Sequence, residues 1–139
     1  MASEAEDALE QILARATSHA EETVARPIAF VLLVGLDDRE TLHRVIGAAD
    51  SSEVLRVGYS TVAESRDVLR AFVIAYDAYM PREDGTRADA IFFQCGLRGV
   101  PHTSVIARPY LDDGERVSWT EGPALLRRID GVLPTPGLA

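Results

Sequence analysis

Residues 51–81 read SSEVLRVGYSTVAESRDVLRAFVIAYDAYMP, and the order of helix and strand within them decides the fold. In Ser51–Ser60, Leu55, Val57 and Tyr59 alternate with Arg56, as in a half-buried strand. Thr61 followed by Glu64 has capping-box spacing, in which each side chain satisfies an orphan N–H at a helix start. Val68, Leu69, Phe72, Val73, Tyr76 and Met80 then recur at helical spacing, and Pro81 ends the run. The stretch therefore predicts a strand followed by the long central helix of the core.

Upstream, Ser3 with Glu6 repeats the capping-box spacing. Leu9, Ile12, Leu13, Ala16, Ala20 and Val24 form a narrow stripe on a helix that Pro27 stops. Ile28–Val34 is apolar throughout and bounded by Pro27 and Gly35, a strand buried on both faces. Thr41–Ile46 admits two readings. A helix capped by Asp38 has the better spacing, while a second strand suits the short Asp37-Asp38-Arg39 turn.

Downstream, Pro81–Arg87 is a polar turn. Ala88–Cys95, Val100–Ala107 and Arg116–Trp119 predict a three-stranded meander. Pro123 opens a short C-terminal helix through Ile129. The expected fold is α+β: an antiparallel sheet of four to five strands with an N-terminal, a long central and a short C-terminal helix, mainly on one face. Residues 1–133 read as a single domain, and 134–139 as a flexible tail. If Thr41–Ile46 is a strand, the order αββαβββα resembles, in topology, the roadblock and longin-like family of small scaffolding modules.

Composition narrows the function. With 139 residues, 22 acidic against 14 basic residues and a net charge of −8, the chain is expected to repel phosphate backbones and anionic lipids. Neither nucleic acid nor membrane is an expected partner; a protein with a basic face is. Every basic residue is arginine, so Schiff-base and P-loop lysine chemistry are excluded. One cysteine allows no internal disulfide, and the acidic MASEAEDALE start lacks the form of a secretory signal, so the expected location is cytoplasmic. No cofactor is implied.

The reactive candidates are few. A hairpin turning symmetrically between Leu97 and Arg98 sets Cys95 against Val100 and Phe93 against His102. Ile91, Phe93, Cys95, Val100, His102 and Ser104 then share one face, with Cys95 and His102 as diagonal neighbours. Arg98 is expected to point from the turn into solvent. Without a carboxylate on that face, a buried thiol is the simpler account of Cys95 than a catalytic one. His19 with Glu22 lacks a third metal ligand, His43 stands alone, and no metal site is expected. Asp37-Asp38 and Asp112-Asp113 abut turns, where Asp bonds its own backbone.

Phe92 and Phe93 point to opposite faces of one strand, which asks for cover on both sides, from a helix, a second subunit or a partner. Three functions follow from these features. The first is a non-catalytic protein-interaction or regulatory module, alone or as a homodimer, using Phe92. The second is an immunity- or antitoxin-like inhibitor of a basic partner, contacting it through Glu83, Asp84, Asp112, Asp113 and Glu115. The third is an enzyme using Cys95 and His102.

Overall fold

The decisive stretch folds in the opposite order to that expected. In the computed structural model, which describes residues 4–23, 27–45, 50–112 (only the backbone of Asp112) and 117–130, Ser51–Ser65 is helix α2 and Leu69–Pro81 is strand β3. Helix α1, Glu4–Glu22, precedes strands β1, Ala29–Gly35, and β2, Glu40–Arg44. After β3 come β4, Arg87–Leu97, β5, His102–Asp112, β6, Val117–Trp119, and β7, Ala124–Asp130.

Local chemistry explains the inversion. Asp50 is extended at φ −156° and accepts the Glu53 N–H at 2.9 Å, so it caps α2. Val54, Gly58 and Val62 then bury one stripe at helical spacing. The Thr61–Glu64 spacing starts nothing; Thr61 donates its hydroxyl to the Val57 carbonyl inside the helix. In β3, every residue from Ala71 to Tyr76 is buried. A run that is apolar at every position meets helical spacing trivially, and this one is a central strand.

All pairings are antiparallel, in the order β2-β1-β3-β4-β5-β6, with β7 beside β6 on the same edge of β5. The described residues thus form seven strands and two helices, where four to five strands and three helices were expected. Residues 41–44 belong to a strand, not to the helix that spacing favoured; Ile46 lies outside the described residues. Residues 124–129 form β7 rather than a C-terminal helix, so the last helix of the αββαβββα order is missing. The boundary at 133 and the tail 134–139 fall outside the described residues, as do Ser3 and Val24.

The helices do not share a face. Ile12, Ala16 and Ala20 of α1 pack with Phe30, Leu32, Val73, Ala75, Phe93 and Cys95. Val54 and Val62 of α2 pack with Val31, Leu33, Phe72, Ile74 and Tyr76 on the other side. Alternation along β1 and β3 assigns these two sets to opposite faces, giving helix, sheet and helix in three layers. The paired phenylalanines behave as expected: Phe93 is buried under α1, while Phe92 is half-buried and stacks on Tyr76 at 5.6 Å on the α2 side. Close packing is tightest at two glycines. A Cβ on Gly58 would come within 2.8 Å of Ile74, and one on Gly96 would overlap the Phe72 ring.

The meander is present, with longer strands and a shifted turn. Cys95 pairs with Ser104 and Phe93 with Ile106, so the hairpin turns later than a symmetric Leu97-Arg98 centre requires. Gly99, at φ 89°, makes that turn. Arg98 does not face solvent. Its side chain donates to the Leu69 carbonyl at 2.7 Å and to the Arg66 carbonyl, satisfying groups just beyond the end of α2.

Candidate functional site

The β1–β3 ladder stops where β3 and β4 continue. Ala29 pairs with Tyr76, and the Asp77 N–H still reaches the Ile28 carbonyl at 3.0 Å. The Ile28 N–H then turns to the Asp77 carboxylate, which also accepts the Tyr110 hydroxyl. The start of α2 closes in from one side, with Ser51 Oγ 3.5 Å from the Asp77 carbonyl. Beyond this point β3 and β4 run on as a two-stranded overhang to Pro81 and Arg87.

The result is a cleft of about 740 Å³ lined by Asp50, Asp77 and Asp89, by Tyr76, Tyr79 and Tyr110, and by Pro27, Ile28 and Ala29. None of its described lining residues is basic. Asp50 and Asp77 have structural duties, as helix cap and strand clamp. Asp89 is exposed and sits across the ladder from Tyr79, which is itself 61% exposed. The Arg87 guanidinium lies 4.9 Å from the centre of that ring, so the tyrosine face already receives a cation within the molecule. Asp89 beside the exposed Tyr79 ring suits a positively charged guest, whereas Tyr76 and Tyr110 are buried.

The sequence-derived candidates lie elsewhere. Cys95 and His102 line one smaller cavity, of about 280 Å³, with Ser104, Glu6 and Arg128. Their diagonal relation survives because His102 stands two residues from Ser104, the partner of Cys95. The thiol is nevertheless buried, and loss of hydration pushes its pKa up to about 12. That direction disfavours the thiolate a nucleophile needs.

Asp84 accepts both the backbone N–H and the hydroxyl of Thr86, at 2.9 and 2.6 Å. These bonds hold its carboxyl below the usual range and identify it as a turn residue; Glu83 beside it is exposed. Asp113, Glu115 and the Asp112 side chain lie outside the described residues.

Asp37 and Asp38 also build a turn. Asp37 accepts the Arg39 N–H at 3.1 Å, and Asp38, at φ 65°, pairs with Arg70 at 2.6 Å. His19 sets its ring edge-on to Phe30 at 6.2 Å, and His43 is exposed on β2. Among the described residues no three His, Cys, Asp or Glu side chains are grouped to hold a metal. No described helix is long and apolar enough to cross a membrane.

The chain matches no family model, no curated protein and no solved structure.

Sequence reasoning passed over Asp50, Asp77, Tyr79 and Asp89. Two signals pointed to the first two. Asp50 precedes Glu53 at capping-box spacing, which marks the true start of α2. Asp77 interrupts the apolar run AFVIAYDAY, and a carboxylate inside a strand needs dedicated partners.

Proposed function

We propose that the protein is a non-catalytic interaction module that captures a cationic segment of a partner protein in the cleft beside Tyr79 and Asp89. The observation that carries this reading is the lining itself: carboxylates and tyrosine rings, with no basic side chain among the described lining residues, on a molecule of net charge −8. The field of such a surface steers a basic partner, and the exposed Tyr79 ring, which already accepts Arg87, with Asp89 beside it, holds its guanidinium or ammonium groups. A regulatory module and an inhibitor of a basic toxic partner would both use this cleft, and they differ in what the captured segment does when free.

Titration calorimetry with a hexa-arginine peptide, and a hexaglutamate control, tests the reading. Asp89→Asn should weaken hexa-arginine binding about threefold, the scale of one exposed ion pair. Tyr79→Ala should weaken it about fivefold. Glu83→Gln, outside the cleft, should change little, and binding should fall as salt rises from about 50 to about 500 mM. Equal affinities for the wild type and both cleft variants would remove the cleft from the account.

A second reading is favoured by the two sheet edges. β2, at one end, is short and exposes Glu40, Thr41, His43 and Arg44, the polar guard of an edge that avoids pairing. β7, at the other, exposes Leu125, Leu126 and Ile129 at 48%, 46% and 40%, and no described strand covers its outer side. Two copies joined antiparallel about Ile129 would set Arg128 of each opposite Asp130 of the other. Sedimentation should then show a dimer that Ile129→Lys dissociates. A wild-type monomer at about 100 μM would dismiss this arrangement.

A further inference from the structure

We infer that the guest of the cleft is an extended segment that adds to β3 as a strand, pairing with the main chain of Tyr79; this rests on the cationic-guest reading above. The register of β3 supports it. Its odd-numbered residues turn their N–H and C=O groups toward β1, as Asp77 does toward Ile28 at 3.0 Å. Its even-numbered residues turn theirs toward β4, a pattern that Arg82 continues with Thr86 at 2.9 Å.

β1 pairs with β3 only as far as Tyr76, and the last β1-side main-chain bond is that of Asp77. The N–H and C=O of Tyr79 and the C=O of Pro81 therefore face outward where no described strand pairs with them. Among the described residues the overhang is a short open edge, and the cleft lies directly against it.

A strand added here would place one residue opposite Tyr79, on the sheet face that Tyr79 shares with its cross-strand partner Asp89. Asp89 is two strand spacings from the new strand, about 10 Å, within reach of an arginine lying on the face of the Tyr79 ring away from Arg87. Main-chain pairing would supply affinity, and the tyrosine–aspartate row would select the side chain. The partner class is thus an arginine-bearing extended peptide, rather than a folded basic patch or a small free amine.

The test uses three synthetic pentapeptides with the full-length protein: Ser-Val-Arg-Val-Ser, the same peptide N-methylated at its arginine, and the same peptide with citrulline in place of arginine. The parent should bind and slow hydrogen exchange of the Tyr79 amide about tenfold. N-methylation should weaken binding about tenfold, the scale of a lost main-chain hydrogen bond with added steric conflict. If the N-methylated peptide binds as well as the parent and Tyr79 exchange is unchanged, strand addition is overturned while the cationic cleft stands. If the citrulline peptide binds as well as the parent, or none binds, the cationic reading fails and takes strand addition with it.

Discussion

Iodoacetamide will label Cys95 in the folded protein about a thousandfold more slowly than in the unfolded chain at neutral pH, counting the thiolate population alone. The thiol is buried, and its pKa rises from 9.0 to about 12 because the anion would lose its hydration. Only the thiolate attacks the reagent, and each unit of pKa removes about a factor of ten from its population. Burial of the sulfur adds steric exclusion in the same direction.

The same shift has a thermodynamic side. Between pH 9.0 and about 12 the unfolded chain releases a proton that the folded protein retains. Stability contributed by the neutral thiol is therefore full below pH 9.0 and is lost as pH rises through that interval. Tyr59 acts in the same sense over a narrower interval. Burial first, then the neighbouring Tyr76 and Cys95, push it from 10.0 to about 12. Its hydroxyl donates to Gln94, whose amide donates to Tyr76 at 3.1 Å. Denaturant melts at pH 8, 9, 10 and 11, with labelling run in parallel, check both statements. Fast labelling of the native protein below pH 8, shifted by His102→Ala, would restore the thiol–imidazole enzyme.

Gly96→Val should be the most disruptive single substitution in the sheet, lowering stability by about 3 kcal/mol or more and the melting temperature by roughly 10 °C. Gly96 pairs with Phe72 across β3 and β4, and Phe72 is fully buried beneath α2. Any Cβ at 96 would occupy the space of that ring. The ring cannot retreat, because Tyr59 stands edge-on to it at 6.0 Å. Gly122→Ala is the control, since its Cβ would meet open space. Equal melting temperatures for the two variants would show that the sheet yields where the packing says it cannot.

How far the fold can be read in the sequence depends on which residues carry contrast. The β4–β5 hairpin was legible because Phe92 and Phe93 must face opposite ways, and both faces are covered. The Ser51–Pro81 stretch was misread for two physical reasons. In α2 the buried stripe includes Gly58, which has no side chain to register as apolar, so the alternation of Leu55, Val57 and Tyr59 looked stronger than the helical row. In β3 the unbroken run from Ala71 to Tyr76 has no polar residue to betray its period. The C-terminal error has a similar root, since Pro123 suits a helix start and an edge strand equally well.

The cleft was less legible still. Asp50, Tyr79 and Asp89 are far apart in the chain, and only the end of the β1–β3 ladder brings them to one place. The acidic residues that sequence favoured were conspicuous because they stood next to turns, and for Asp84 turn-making is what the structure shows.

The β1–β3 ladder joins residues as distant as Ile28 and Asp77, which are 49 positions apart, whereas β3, β4 and β5 follow one another through short connections. The sheet is thus two locally closed blocks, β1–β2 and β3–β7, meeting along one long-range seam under both helices. The cleft is the outer end of that seam, with Ile28 and the α2 start on one bank and Tyr79 and Asp89 on the other. A guest held by both banks acts as a clasp. Its binding free energy would also be spent against the parting of the blocks, so occupancy and the cohesion of the whole sheet would rise together.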